Sequence, residues 1–247
     1  MSRRDRKAQP KATDPTSLTS SQSRGGVIGE DGYFYQDAYL VARIPEWLRD
    51  PRFALVVSES LGDIEVRLEE RDRTATLHYY QVKDHRVTRS EFTKVLAEFA
   101  GKDEQQPECY SRFILVCPEL DDKVRGLLRQ IGETRCVAPL YKGPGDGVMS
   151  TTEAHLAERI AGLGWEPHIH LLIAKASTDI WIARERHEQH SRLVFREGVR
   201  AVPEWSSSTH RSIDQCYDSL VTLVRASRRI PLTRDRLRGL LNNILRP

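Results

Sequence analysis

The sequence predicts an α/β protein whose elements follow the order helix, three strands, helix, strand, helix, with further helices toward the C-terminus. Two observations support this prediction. Segments of strand length that are either continuously apolar or alternating occur at residues 53–57, 63–68, 76–83 and 113–116. Apolar residues at helical spacing precede the first of these segments and separate the third from the fourth.

The first elements follow from their hydrophobic spacing. Apolar residues at helical spacing from Phe34 to Leu48 predict the first helix, and Pro45 is expected to bend or end it. The continuously apolar segment 53–57 predicts a strand, and the alternation over 63–68 predicts a second strand with one apolar face. We expect the first three strands to be neighbours in a meander.

The helix after the third strand has a clear start signal. The sequence Thr88-Arg89-Ser90-Glu91 is a capping box, and Val87 with Phe92 forms a hydrophobic staple around it. The apolar stripe of this helix is predicted to continue over residues 92–99.

The remaining elements are predicted from weaker patterns. A further helix is expected around 124–131, followed by a helix near 151–163, a strand near 168–174 and a helix near 176–190. Two helices, at about 209–227 and 233–245, are expected to end the chain, with Thr233 as the N-cap of the second. No internal repeat is present.

Composition divides the chain into three expected parts. Residues 1–24 carry six basic and two acidic side chains and few large apolar residues, so we expect a disordered basic tail. The tail has a charge of +4, which leaves −1 for the rest of the chain (+3 − 4). We expect an α/β catalytic domain over 25–200 and, over 201–247, a helical extension for partner or oligomer contacts.

Several protein classes are disfavoured. No apolar run is long enough to span a membrane, and the N-terminus lacks the apolar stretch of a secretory signal, so we expect a cytoplasmic protein with no membrane partner. The four cysteines form no CxxC pair and lie at no zinc-finger spacing from a histidine, which argues against a zinc site.

Polar residues cluster where the predicted strands end. Glu59 and Asp63 lie on either side of the turn between the first two strands. Gln81 and Lys83 are two residues apart on the third strand, so their side chains leave the same face. If the second and third strands pair antiparallel, Asp63 comes close to Gln81 and Lys83.

These residue types suit phosphodiester hydrolysis. Asp63 and the Gln81 carbonyl oxygen are ligands for Mg²⁺ or Mn²⁺, with the main-chain carbonyl of Val82 as a further ligand and Glu59 as a second carboxylate. Such a metal polarises a phosphoryl oxygen and lowers the pKa of an attacking water. Lys83 can orient that water or neutralise developing negative charge. On spacing alone, ordinary solvated residues on a strand explain the pattern as well.

Two further observations favour a nuclease. The predicted αβββαβ order is the one expected of restriction-endonuclease-like cores, which is an argument from fold analogy. In addition, residues 32–36 (Gly-Tyr-Phe-Tyr-Gln), 59–66 (Glu-Ser-Leu-Gly-Asp-Ile-Glu-Val) and 80–83 (Tyr-Gln-Val-Lys) resemble the double-stranded-DNA endonuclease domain of bacterial anti-phage effectors, of the PD-(D/E)XK superfamily. Tyr33 departs from the Gly-Phe sequence that is usual in that family.

The resemblance implies a site and a biological setting. It assigns the catalytic and metal-binding positions to Asp63, Gln81 and Lys83, and motif positions of supporting role to Glu59 and Gln36. Domains of this kind occur in CBASS effectors joined to a SAVED sensor, in Lamassu-type effectors and on STAND-type ATPases. We therefore expect a metal-dependent DNA endonuclease of antiviral defence, with the nuclease domain over 25–200. Because 247 residues leave no room for a SAVED sensor, we expect activation by a partner protein or a region outside this chain, through oligomerisation.

Two alternatives remain open. One is a non-catalytic DNA-binding or assembly subunit that keeps the nuclease fold, and the other is a ribonuclease or repair nuclease that uses the same site. The sequence indicates neither cleavage specificity nor the activating signal. Among the lesser candidates, His168 and His170 are expected on one strand face without an acidic partner, and His85 is expected to be a solvated loop residue.

Overall fold

A computed structural model describes residues 30–58, 64–70, 74–141, 146–181 and 187–246. The helices are α1 (Glu30–Arg49), α2 (Arg89–Gln105), α3 (Asp122–Val137), α4 (Asp146–Ala161), α5 (Ile169–Ala174), α6 (His187–Arg200), α7 (His210–Ala226) and α8 (Arg234–Leu245). The strands are β1 (Phe53–Ser58), β2 (Ile64–Glu69), β3 (Ala75–Val82), β4 (Tyr110–Cys117), β5 (Ala176–Ile180) and β6 (Leu232–Thr233). The predicted αβββαβ order is therefore confirmed, whereas residues 1–24, predicted to be a disordered tail, lie outside the described residues.

The strands form one mixed sheet in the order β5-β4-β3-β2-β1-β6. Strands β3, β4 and β5 are parallel, and β2, β1 and β6 join them through antiparallel pairings. The expected meander of β1, β2 and β3 is confirmed. Its register places Ile64, the first residue of β2, opposite Tyr80 near the end of β3.

Each face of the sheet is covered by helices. Helices α1, α6, α7 and α8 share one core with residues such as Ile64 and Tyr80, and helices α2 to α5 share the other with residues such as Tyr79 and Leu115. Neighbouring residues of a strand point to opposite faces, and Tyr79 and Tyr80 accordingly belong to different cores. The predicted C-terminal helices are confirmed as α7 and α8, and both pack in the same core as α1.

Helix α1 continues through Pro45 instead of ending there. A proline inside a helix removes one main-chain hydrogen bond, but Ile44 and Leu48, which flank it, are both buried in the core. Burial of these side chains offsets the lost bond. Helix α6 crosses at this point, and a β-carbon added at Gly198 would lie 3.0 Å from the Pro45 β-carbon.

The prediction for residues 168–190 is wrong. The segment predicted as a strand forms a short 3-10 helix followed by α5, and the strand β5 begins at Ala176, where a helix was expected. The adjacent residues Leu171 and Leu172 are both buried, which a helical turn between two other helices allows. Strand β5 lies at the edge of the sheet and buries one of its five residues, Ala176.

This correction also changes the two histidines. His168 ends the 3-10 helix and His170 lies in α5. Residues two apart on a helix point in nearly opposite directions, so the predicted shared strand face does not exist.

Local sequence signals predicted the helix starts well. Thr88 accepts a hydrogen bond from the Glu91 main-chain N–H and Glu91 accepts one from the Thr88 N–H, so the capping box is confirmed. Thr233 caps α8 through the Arg236 N–H. None of the helices in the described part of the chain is long and apolar enough to cross a membrane.

Candidate active site

A cleft of about 240 Å³ opens between the end of β3 and the first half of α2. It is lined by Gln81, Lys83, His85, Val87, Glu91, Lys94, Val95 and Glu98. Two of the predicted site residues therefore lie in one cleft, at the end of the sheet where β2 begins and β3 ends.

Strand β3 positions these two residues. Gln81 and Lys83 leave the strand on the side of α2, while the side chain of Val82 packs on the other side against the core that contains α1. The Lys83 main-chain N–H donates to the Val116 carbonyl at 2.8 Å, which fixes the backbone just beyond the last paired residue of β3. Val82 can thus contribute only its main chain to the cleft.

The Gln81 side chain is held by a carboxylate from α2. Its Nε2 donates to Glu98 Oε2 at 2.7 Å, and the Tyr79 hydroxyl donates to Glu98 Oε1 at 3.0 Å. Gln81 is 6% exposed, and Tyr79 is buried. Glu98 itself is exposed, so it lies between the Gln81 amide and solvent.

The other end of the Gln81 amide lacks a partner. Within the part of the chain that the structure describes, Oε1 is buried and accepts no hydrogen bond. A buried carbonyl oxygen without a partner costs free energy, and such an oxygen beside a cleft is a suitable ligand for a hard cation. The predicted metal-binding role of Gln81 fits this geometry.

Lys83 supplies the positive charge of the cleft. It is partly buried, and no acceptor among the described residues forms a hydrogen bond or ion pair with its Nζ. His85 is exposed and contacts Asp84 and Glu91 at 3.1 and 3.2 Å. The ammonium group of Lys83 is therefore available for a substrate phosphate or an attacking water.

Gln36 lies on the other face of the sheet from Gln81. It is buried on α1, and its Nε2 donates to the Ser58 hydroxyl at 3.1 Å. Ser58 is the last residue of β1, and it is paired with Ile64. Gln36 therefore ties α1 to the β1 end from which the chain continues to Glu59.

The two predicted acidic residues, Glu59 and Asp63, lie outside the described residues. The antiparallel pairing of β2 and β3, on which the predicted cluster depends, is confirmed by the position of Ile64 opposite Tyr80. Among the residues with described placement, no group of three His, Cys, Asp or Glu side chains could hold a metal ion.

Sequence reasoning missed Glu98. Its one available signal was the spacing of Glu91, Lys94 and Glu98, which places three charged residues along one edge of α2 next to the buried stripe. That spacing is common on solvated helix faces, and the contact with Gln81 becomes visible only once α2 is packed on β3.

Comparisons with known proteins agree with a nuclease fold. A family model described as "Cap4, dsDNA endonuclease domain" matches residues 24–159. The chain is 34% identical over 125 residues to CD-NTase-associated protein 4 of Moraxella osloensis, covering 51% of this chain and 27% of that protein. It is 35% identical over 126 residues to the protein of the same name from an Acinetobacter strain, with the same coverage.

Solved structures share the fold. The Acinetobacter baumannii Cap4 SAVED/CARF-domain containing receptor with the cyclic trinucleotide 3'3'3'-cAAA superposes with a TM-score of 0.71 at 20% identity, over 89% of this chain and 46% of that chain. The Moraxella osloensis Cap4 receptor gives a TM-score of 0.70 at 22% identity, over 89% and 48%. This chain thus corresponds to less than half of each solved structure and its match to about a quarter of the curated relatives.

Proposed function

Because the family match covers more than half of its 247 residues, the chain belongs to the Cap4 dsDNA endonuclease domain family, and on this premise we propose that it hydrolyses phosphodiester bonds of double-stranded DNA with Mg²⁺. The observation that carries this proposal is the buried, unpartnered Gln81 Oε1 beside the unpaired Lys83 in an open cleft. The proposed site is of the PD-(D/E)XK kind.

The residues have distinct roles in this proposal. Gln81 Oε1, the Asp63 carboxylate and the Val82 main-chain carbonyl hold the metal, and Glu59 adds a second carboxylate. Mg²⁺, when bound, polarises the scissile phosphate and favours ionisation of the attacking water; Mn²⁺ is expected to substitute for it. Lys83 Nζ orients the water and stabilises negative charge that develops on the phosphate oxygens.

Gln36 acts at a distance from the chemistry. Its hydrogen bond to Ser58 fixes the end of β1, from which the chain continues to Glu59 and Asp63. We therefore assign Gln36 to positioning of this connection and not to metal binding.

The proposed setting is bacterial antiviral defence of the CBASS type. The relatives are named CD-NTase-associated proteins, and the solved relatives are described as receptors with cyclic trinucleotides. A nuclease that cuts any DNA must be restrained in its host, so we propose activation through oligomerisation, driven by a partner protein or a region outside this chain. Mass photometry of a fully active protein that remains monomeric would contradict this part of the proposal.

Cleavage of plasmid DNA tests the central claim. The wild-type chain is incubated at micromolar concentration with supercoiled plasmid and Mg²⁺ or Mn²⁺, next to Lys83→Ala and Asp63→Ala, with an RNA duplex as comparison substrate. We expect the wild type to cut DNA and each variant to lose about 100-fold or more in rate. Lys123→Ala is the control, because Lys123 is an exposed lysine on α3, outside the cleft.

Two outcomes would contradict the proposal. One is a wild-type protein that leaves plasmid intact even when assembled into oligomers. The other is cleavage by Lys83→Ala and Asp63→Ala at the rate of Lys123→Ala.

A further inference from the structure

We propose that Glu98 is a positioning residue that orients the Gln81 amide so that its carbonyl oxygen, and not its NH₂ group, is presented to the metal ion. This inference rests on the proposed metal-dependent nuclease function. It concerns a residue on α2 that lies outside the Asp63, Gln81 and Lys83 set.

The orientation of the amide follows from the chemistry of the contact. A carboxylate accepts hydrogen bonds and cannot donate them when it is ionised. With Glu98 Oε2 at 2.7 Å, the Gln81 group that faces Glu98 must be the NH₂ donor. Rotation of the amide by 180° would bring two acceptor oxygens together. The carbonyl oxygen is therefore directed away from Glu98, to the position where it is buried and lacks a partner.

Glu98 is itself fixed by the hydroxyl of Tyr79. That hydroxyl donates to Oε1 at 3.0 Å, and the Tyr79 ring is buried against Phe99 and Phe113 in the core beneath α2. The order of contacts is thus Tyr79 to Glu98 to Gln81, which links the packed core to the amide in the cleft. Groups that orient metal ligands in this way commonly determine metal affinity.

Replacement of Glu98 by glutamine inverts this arrangement. In Glu98→Gln, the new carbonyl oxygen can still accept from Tyr79, which leaves the new NH₂ group facing Gln81. The Gln81 amide must then turn its own oxygen toward residue 98 and its NH₂ group toward the metal position. An NH₂ group cannot bind a cation, so the ligand is lost without a change in side-chain size.

A double-mutant cycle measured by metal binding tests the inference. Mn²⁺ is titrated calorimetrically, without DNA, into the full chain as wild type, Glu98→Gln, Gln81→Ala and the double variant. We expect each single variant to weaken Mn²⁺ binding about 10-fold, and the double variant to bind no more weakly than Gln81→Ala, because Glu98 acts through Gln81. Glu104→Gln removes an exposed carboxylate from the same helix outside the cleft and should bind Mn²⁺ like the wild type.

The outcomes separate this inference from the proposed function. Wild-type protein that cuts DNA and binds Mn²⁺, with Glu98→Gln indistinguishable from Glu104→Gln, overturns the role of Glu98 alone. So does an additive, about 100-fold loss in the double variant, since two independent ligands behave in that way. Wild-type protein that neither binds Mn²⁺ nor cuts DNA overturns the proposed function itself. Thermal unfolding of each variant confirms that folded proteins are compared.

Discussion

Gln81 and Glu98 are 17 residues apart in the sequence, and in the folded chain the Gln81 Nε2 donates to Glu98 Oε2 at 2.7 Å. The pair joins the end of β3 to the middle of α2 beside the cleft. Because one partner is a neutral amide and the other a carboxylate, the contact has a defined direction, and exchanging the two groups should reverse it without breaking it.

Exchange of the two side chains is the first prediction. Gln81→Glu alone places two carboxylates in contact and removes the hydrogen bond, and we expect the free energy of unfolding to fall by about 1–3 kcal/mol at neutral pH. In the double variant Gln81→Glu/Glu98→Gln, the new glutamine donates to the new glutamate and still accepts from Tyr79. Urea unfolding should therefore show most of the loss recovered. A double variant as unstable as Gln81→Glu would contradict the geometry of the pair.

How far the fold could be predicted depends on where its signals lie. Thr88 and Glu91 predicted the start of α2 because a capping box is a local interaction, complete within four residues. Strand β5 was missed because an edge strand with one neighbour needs little apolar surface, and Ala176 is its one buried residue. Strand β6, two residues long, carries no pattern that a sequence could reveal.

The candidate site was predictable up to the same limit. Side-chain alternation placed Gln81 and Lys83 on one face, and the meander placed the beginning of β2 beside the end of β3, as the pairing of Ile64 with Tyr80 confirms. The contribution of Glu98 depends on how α2 packs on β3, which is a tertiary relationship. Helical spacing alone does not determine it.

Arg234 provides a prediction about stability. Its guanidinium donates to the main-chain carbonyls of Leu48, Asp50 and Phe53 at 2.9, 2.6 and 3.2 Å, where α1 ends and β1 begins. These carbonyls include groups that a helix end leaves unpaired, and a cation there also interacts favourably with the helix dipole. Arg234→Ala should lower the free energy of unfolding by about 2–3 kcal/mol.

The control for Arg234 lies on the same helix. Arg236 is exposed, and Arg236→Ala should change stability by less than about 0.5 kcal/mol. Arg234→Lys keeps the charge but not the planar fork, so it should recover part of the loss. Equal stability of Arg234→Ala and Arg236→Ala would show that the three carbonyl contacts contribute little.

Gly198 and Gly239 should respond in opposite ways to replacement by alanine. Alanine favours a helix over glycine by about 1 kcal/mol. At Gly239 in α8 nothing lies within 4 Å of an added β-carbon, so Gly239→Ala should stabilise the protein. At Gly198 the same carbon meets Pro45 at 3.0 Å, so α6 must move from α1, and Gly198→Ala should destabilise by about 1 kcal/mol or more. Thermal unfolding of the two variants measures the difference, and an equal gain in both would contradict the tight crossing.

Removal of divalent cations should stop DNA cleavage without unfolding the chain. Excess EDTA is expected to abolish plasmid nicking by the wild type, and added Mg²⁺ should restore it, because the proposed ligands bind a hard cation through oxygen atoms. The circular dichroism spectrum should not change. Asp63→Ala should stay inactive after Mg²⁺ is restored. Cleavage by the wild type in excess EDTA would contradict a metal-dependent reaction.

His78 should make stability fall at mildly acidic pH. Burial on β3, together with the nearby Arg112 and Arg52, lowers the pKa of His78 to about 4. Its pKa in the unfolded chain is about 6.5. Between these values the unfolded chain binds a proton that the folded chain does not, so the free energy of unfolding decreases as the pH falls from about 6.5 to about 4, by up to about 3 kcal/mol. Above pH 6.5 both states are neutral at this site, and its contribution no longer changes with pH.

Urea unfolding between pH 7.5 and 4.5 measures this dependence. His78→Gln should flatten the pH dependence of the free energy of unfolding, because the side chain then has no proton to bind. His155→Gln, which replaces an exposed histidine of α4, should keep the wild-type decline because His78 is still present. If His78→Gln and the wild type lose stability in parallel over this range, the acid sensitivity arises from other groups and His78 is not held neutral by burial.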